Sequence, residues 1–466
     1  MAPSVFAVPV VHADVEAHPR RVALTHDGTA RNLTPRAQLR RDFMEARAAK
    51  ARYDLPKVLS LATDCRDLAF KLHKLKPARV CDEAMFGVAR RLGDARTMVG
   101  ADYWWQQHGF AAADKTSKVY SAFQKANLAR LVNTVPAFSA AVAGSPSVLK
   151  YPHRIEFSGR LAAEPLTSRR PTVMATIDGK PVAVMVDTGT VLPLMMDQAH
   201  ATALGATPLL GELVAPGMEK HPLPGAKGFS TDLIANFKFG DLVMHNVATA
   251  VVPDGRFHVG VLVGLPVLAR FGRVDLDDAR IATGMAVPHC TSSMPLRFVG
   301  VGQLGFSTTA NGRPAIAMVD TGSMYALFAK PEARPNSSAV SKTSLWEWPE
   351  APSAHHRQVG VQIGEWSMTG IDMPDAKLTL PPNVDVSIGA PLLTFADVRI
   401  DFAKPSLCVS PKPPVKDGAV FVHRDRREES FAKSPIGILL GVLEHAVETL
   451  SSRTSIHDNH AASHAQ

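Results

Sequence analysis

At 466 residues, with 46% hydrophobic and 20% charged side chains, the chain is long and apolar enough for two or three folded cores, which argues against a disordered polymer. Its net charge of +8 is not gathered into an Arg/Lys stripe interleaved with aromatics, so nucleic-acid binding is set aside. No uninterrupted apolar run reaches the length of a membrane-spanning helix.

Residues 1–30 read as a leader or a disordered N-terminus. Val5, Phe6, Val8, Val10 and Val11 are apolar in the manner of an export signal, but Pro9 interrupts them and no Lys or Arg precedes them. From 31 to 150 the texture is helical. Thr34-Pro35 offers an N-cap and a first-turn proline, after which Leu39, Phe43 and Ala46 recur at helical spacing. Further stripes follow at Val58, Leu61, Cys65, Leu68 and Leu72, then at Met85, Val88, Ala89 and Leu92, then at Val119, Phe123, Ala126, Leu128, Leu131 and Val132. Such stripes bury against one another and predict a small all-α domain. Its task is packing alone, recruitment of a substrate or partner, or coverage of a cleft as a propeptide. Tyr103-Trp104-Trp105 reads as part of its core.

The next two segments, 151–285 and 286–410, carry one motif twice. Gly179-Lys180-Pro181 runs into Ala183-Val184-Met185-Val186-Asp187-Thr188-Gly189-Thr190. Gly312-Arg313-Pro314 runs into Ile316-Ala317-Met318-Val319-Asp320-Thr321-Gly322-Ser323. Each apolar run predicts an interior strand, and an Asp at the end of such a strand is costly unless something needs it. The Thr hydroxyl can turn back to neighbouring backbone, while the Gly permits a tight turn or a close approach. If the two turns meet, like charges share one site, and one carboxyl keeps its proton while the other is ionised. That pair supplies a base to activate water and an acid to protonate a leaving nitrogen. The repeat continues downstream: Gly264-Leu265-Pro266-Val267-Leu268, Phe271 and Arg273-Val274-Asp275 are echoed by Gly389-Ala390-Pro391-Leu392-Leu393, Phe395 and Arg399-Ile400-Asp401.

With both copies of the motif in view, residues 165 to 410 resemble an aspartic protease of the retropepsin and pepsin kind, of bacterial type, with two retropepsin-like lobes fused in one chain. The resemblance implies a mainly β, bilobal acid-protease fold, with two pseudo-symmetric closed β lobes at 151–285 and 286–410 preceded by the all-α domain. It makes Asp187 and Asp320 the catalytic aspartates of an endopeptidase. Thr188 and Thr321 match the threonines that cross-brace the catalytic loops, Gly189 and Gly322 the loop glycines, and Thr190 and Ser323 the hydroxyl residues supporting the aspartates. Gly264 and Gly389 match the glycines packed behind the loops. The substrate implied is a polypeptide, with no cofactor and no metal, and unequal flap regions favour a monomer whose lobes pair within the chain. The candidate flap, about Leu210 to Gly228, is rich in Gly and Pro and lacks the Tyr of a pepsin-like flap. In the second lobe, Trp346 and Trp348 either cover a substrate or seal a hairpin. A protease fold used only for peptide binding or self-processing is the alternative.

Four cysteines fall in two pairs. Cys65 and Cys81 have the spacing of two facing helices, and Cys290 with Cys408 would staple the start of the second lobe to its end. They form two disulfides in an oxidising compartment or remain buried thiols. The former favours a periplasmic or secreted protein carrying a signal, the latter a cytoplasmic one. Residues 411–466 form a tail: prolines at 411, 413 and 414, a charged run from Arg424 to Glu429, one candidate helix over Ile436–Leu450, and a His- and Ser-rich end containing His457, His460 and His464.

Overall fold

Local capping chemistry starts the N-terminal helices. Thr34 caps α1 (Pro35–Ala51) by accepting from the Ala37 amide, Asp54 caps α2 (Leu55–Lys71), and Asp94 caps α4 (Ala95–Gln107) by accepting from Thr97. Between them, α3 (Leu75–Leu92) ends on Gly93 at φ +78°, where a Cβ would sit 2.9 Å from Val247. A further helix, α5 (Ala122–Thr134), belongs to the same part. The computed structural model describes residues 23–24, 30–31, 33–108, 122–144, 146–151, 155–157, 160–162, 170–213, 229–252, 260–284, 290, 292–299, 302–323, 327–329, 357–372, 380–381, 383–412 and 419–421.

The second and third stripes bury as expected: Val58, Leu61 and Cys65 on α2, and Met85, Val88, Ala89 and Leu92 on α3. On α5, Leu128 and Leu131 are buried, while Val119 lies outside the described residues. α1 departs from its predicted face. Phe43 is 45% exposed, and the buried residues are Asp42 and Ala49, with Gln38 donating to Asp42 at 2.8 Å. The small Ala49 lets the helix approach its neighbours, whereas a phenylalanine on that side would hold it away. Trp104 and Trp105 are likewise not core. Both are half-buried, under the guanidinium groups of Arg66 (5.0 Å) and Arg79 (4.8 Å).

Most of the remaining chain is strand. Two short hairpins, β1 (Ala23–Leu24) with β2 (Ala30–Arg31) and β5 (Ile155–Phe157) with β6 (Arg160–Ala162), stand apart from the main sheets. The first falls largely within the stretch expected to be leader or disordered. β3 (Ser139–Val142) and β4 (Ser147–Lys150), assigned by sequence to the helical segment, instead join the sheets. Helical stripes end near Val135, and nothing in the short stretches that follow forbids pairing.

One sheet contains β7 (Thr172–Ile177), β8 (Lys180–Asp187), β9 (Leu194–Asp197), β10 (Thr207–Leu213), β11 (Phe229–Phe239), β12 (Leu242–Val252) and β13 (Val261–Gly264), with β3 at one edge. Its order β11-β7-β8-β13-β9-β12 returns to β11 and closes a six-stranded barrel. β7 and β8 turn through Asp178 and Gly179 at φ +46° and +79°, a two-residue hairpin with both central residues left-handed. Helix α6 (Gln198–Leu204) follows β9 and is capped by Asp197, and α7 (Leu265–Ala269) follows β13.

The second sheet contains β14 (Arg273–Leu276), β15 (Arg280–Thr283), β16 (Ser292–Val299), β17 (Gln303–Ala310), β18 (Arg313–Asp320), β19 (Leu327–Ala329), β20 (Arg357–Ile363), β21 (Trp366–Asp372), β22 (Val386–Gly389), β23 (Ala396–Asp401) and β24 (Ser406–Pro411), plus β4. Pairings β18-β22-β19-β21-β20-β17 also return to their start. The β17–β18 turn is Asn311-Gly312, again left-handed at both positions, and the short helix α8 (Leu392–Phe395) follows β22. β14 and β15, placed by sequence with residues 151–285, pair here through β14 with β23. Past Pro411, β25 (Ala419–Phe421) runs parallel to β21. The candidate helix 436–450 lies outside the described residues.

A single buried cluster joins helices to both sheets, including Tyr53, Val58 and Leu92 from the helices, Val184 and Val263 from the first sheet, and Val319, Ile388 and Ile400 from the second. Disulfides Cys65–Cys81 and Cys290–Cys408, each with Cα atoms 5.9 Å apart, bear out both pairings. The second closes 118 residues and, on the chain-entropy account, contributes about 4–5 kcal/mol. Two disulfides point towards an oxidising environment. No helix among the described residues is long and apolar enough to cross a membrane.

Candidate active site

Each Asp-Thr-Gly turn sits where two parallel strands end together. β8 and β13 are in register Val186↔Val263 and Asp187↔Gly264, and β18 and β22 in register Val319↔Ile388 and Asp320↔Gly389. An amide following each of those glycines binds the matching turn: Leu265 donates to the Thr190 carbonyl at 2.9 Å, and Ala390 to the Ser323 carbonyl at 2.7 Å. At Gly264 a Cβ would collide with the Leu192 carbonyl and lie 2.6 Å from that of Thr190. Only glycine fits there.

The turns meet through their threonines. Thr188 donates its hydroxyl to the Val319 carbonyl at 2.7 Å and its amide to Thr321 Oγ1 at 3.0 Å. Thr321 donates its hydroxyl to the Val186 carbonyl at 2.7 Å and its amide to Thr188 Oγ1 at 3.1 Å. Both side chains are buried, so each hydroxyl is donor and acceptor in a closed reciprocal set. Removing one partner would strand another in an apolar surrounding at about 1–3 kcal/mol.

This brace brings Asp187 and Asp320 together. A Cβ on Gly189 would lie 2.7 Å from Asp320 Cγ, and one on Gly322 would strike the Asp187 carboxyl. Each turn therefore lies flat against the carboxyl group of the other. Asp187 accepts from the Gly189 amide on Oδ1 (2.7 Å) and from Thr190 Oγ1 on Oδ2 (2.6 Å). Asp320 accepts from the Gly322 amide at 3.1 Å. Desolvation, then the charge of Asp187 and a hydrogen bond shared with its carboxyl, hold Asp320 well above the usual carboxylate range; amide donation from Gly322 and Ser323 opposes this and is outweighed.

Among the described residues no group of His, Cys, Asp or Glu is arranged to hold a metal ion. Trp346 and Trp348, and residues 214–228 of the candidate flap, lie outside the described residues; β10 and β11 are the arms leading to the latter.

With this geometry in hand, comparison with known proteins bears on the first turn. Residues 173–267 match the family model described as aspartyl protease. The aspartyl-protease match begins in β7, includes Asp187, Thr188, Gly189, Thr190 and Gly264, and stops short of the second turn. No curated protein matches the chain. Asp320 thus stands on the internal repeat and on its contact with Asp187.

Two features escaped the sequence reading. Arg273 and Asp401 face each other across β14 and β23 and form an ion pair at 2.9 Å, and Asp275 pairs with Arg399 in the same way. The echoed Arg-x-Asp triplets were the available signal: read antiparallel, each Arg falls opposite an Asp of the other copy. The second feature is a buried Tyr/Arg cluster around Tyr53, for which the sequence carried no periodic or motif signal.

Proposed function

We propose that the protein is an aspartic endopeptidase whose residues 151–285 and 286–410 act as two pseudo-symmetric lobes of retropepsin-like type, paired within one chain. The observation that carries this reading is the Asp187–Asp320 contact held by the Thr188–Thr321 brace. In the proposed reaction a polypeptide lies between the lobes, beneath the candidate flap at about Leu210 to Gly228, with a water molecule between the two carboxyl groups. The ionised carboxylate takes a proton from the water, which attacks the scissile carbonyl. The protonated partner, assigned to Asp320 from its raised pKa, stabilises the developing oxygen, and the proton held by the pair then passes to the leaving amine. Thr188 and Thr321 fix the carboxyl spacing. Gly189 and Gly322 keep the pair uncovered, while Thr190 and Ser323 support the outer sides of the aspartates. The two disulfides favour an exported, periplasmic setting, and intrachain pairing favours a monomer.

The test is digestion of an unbiased peptide mixture from pH 3 to 8, with and without a transition-state-mimicking aspartic-protease inhibitor. Inhibitor-sensitive cleavage, lost in D187N, is expected. Complete absence of cleavage by the full chain across that range would sink the reading.

A further inference from the structure

The turn from α2 to α3 carries a surface on which lysines alternate with bare apolar groups. Phe70, near the end of α2, is 36% exposed, and Leu75, at the start of α3, is 49% exposed. Lys71, Lys74 and Lys76 stand among them and are exposed as well. Across residues 66–79 the cations Arg66, Lys71, Lys74, Lys76 and Arg79 are accompanied by one carboxylate, Asp67, which is paired with Arg66 at 3.0 Å. Among the described residues none of the three lysines forms an ion pair.

Two further helices reach the same end. α1 and α2 are joined by the short link at residues 52–54 and pack against each other as antiparallel neighbours, which sets the start of α1 beside the end of α2. There Leu33 is 36% exposed beside an exposed Arg36, and Arg40, Phe43, Met44 and Arg47 continue the outward side of α1 at helical spacing. From α4, Trp104 meets the Phe70 ring edge-on at 5.5 Å, and the His108 ring does so at 4.4 Å. The Cys65–Cys81 bridge ties α2 to α3 at matching distances from their turn, so the tip is held as one unit.

We propose that this end of the helical segment is a docking surface for an anionic membrane, with Lys71, Lys74 and Lys76 on the lipid phosphates and Leu75 and the exposed part of Phe70 in the boundary between headgroups and acyl chains. Charge complementarity selects the occupant: lysines without counter-charge match the negative surface of an anionic leaflet. The apolar groups between them narrow it further. A nucleic acid or an acidic protein surface would engage the lysines and leave Leu75 in water, whereas a bilayer takes up both. Lysine stems are long enough to keep their charge among the headgroups while their neighbours sit deeper. Such a surface lies on a membrane and does not cross it. Because the helices share a buried cluster with both sheets, docking here would hold the candidate active site at the membrane as well. This inference does not depend on the protease reading, since vesicle binding is measurable without turnover.

The test is cosedimentation of the full chain with vesicles of phosphatidylcholine alone or mixed with phosphatidylglycerol. Binding to the mixed vesicles only, weakened by added salt, is expected. The triple variant Lys71→Glu, Lys74→Glu, Lys76→Glu should lower the partition coefficient by at least about a hundredfold, at roughly fivefold per cation lost near the surface. The same charge change placed on the sheets, Lys150→Glu, Lys238→Glu, Arg313→Glu, should alter it by less than about threefold, because exposed charges beyond the screening distance count for little. Leu75→Ser keeps every charge and should weaken binding by at least about threefold through lost apolar burial. No binding to mixed vesicles, equal losses in the two triple variants, or wild-type partitioning of Leu75→Ser would overturn the proposal. So would capture of a random single-stranded oligonucleotide through the same lysines without vesicle binding, which would assign the surface to nucleic acid.

Discussion

The two Asp-Thr-Gly turns have nearly the same sequence and the same strand register, yet their carboxyl groups are not equivalent. Asp187 receives a hydroxyl bond from Thr190 at 2.6 Å and an amide bond from Gly189 at 2.7 Å, both short. Asp320 receives the corresponding amide bond at 3.1 Å, and desolvation and the Asp187 charge hold its carboxyl well above the usual carboxylate range. Duplication supplies two carboxyl groups; their surroundings are unequal.

Breaking that comparison altogether should have the largest effect. Asp187→Asn and Asp320→Asn are each expected to lower kcat by at least about a thousandfold, because the two groups act as one unit. A residual rate within tenfold of wild type in either variant would refute the dyad. Next come the glycines. In Gly322→Ala the new methyl meets the Asp187 carboxyl, and in Gly189→Ala it meets that of Asp320. Both should fold with cleavage reduced by one to three orders of magnitude, roughly the cost of misplacing reacting groups by about 1 Å, measured as kcat at saturating peptide.

The brace tests the sharing between the copies. Thr188→Val and Thr321→Val should each cost about 1–3 kcal/mol in denaturant unfolding, since each strands buried partners. The double variant should cost less than the sum, because either change already breaks the reciprocal set. Wild-type additivity within 0.3 kcal/mol would contradict a closed network.

pH then sharpens the difference between the carboxyls. A folded-state pKa raised above the unfolded value means that the folded protein binds the extra proton. Stability attributable to Asp320 is therefore full below the ordinary carboxylate range and is lost as pH rises through its raised value. Asp320→Asn should raise Tm at pH 7 and leave it nearly unchanged near pH 3. An equal Tm change at both pH values would show that Asp320 is not the proton holder. The smallest effect belongs to the outer ion pairs. Exchanging Arg273 and Asp401 for each other should change stability by no more than about 1 kcal/mol, as expected of a partly exposed pair, with the single Asp401→Arg change costing more than the exchange.

Much of the candidate site was legible because its chemistry repeats. Two Asp-Thr-Gly turns with matched downstream glycines are a long-range coincidence written along the chain, and the helical stripes of α2 and α3 are periodic enough to survive packing. Asp178-Gly179 and Asn311-Gly312, not singled out from the sequence, form hairpin turns whose central residues both take positive φ. Where local pattern and packing competed, packing won. Phe43 continued an apolar stripe but is exposed, because α1 approaches its neighbours through Ala49. Ser147–Lys150 looked like the end of a helical segment, yet its backbone finds partners in β15.

The amino-acid sequence alone determined which residues could react and that they come in two copies. A strand ending in Asp-Thr-Gly specifies its own turn through short-range sterics and hydrogen bonding. Only the tertiary structure decided that the turns touch, that Thr188 and Thr321 exchange hydrogen bonds, and that Asp320 holds its proton more tightly than an ordinary carboxyl. Those outcomes depend on distances between residues more than 130 positions apart and on the loss of water around them. The same holds for the Arg-x-Asp pairs and for the charge gathered around Tyr53, where chain segments with no local relation are brought together by burial of a common core.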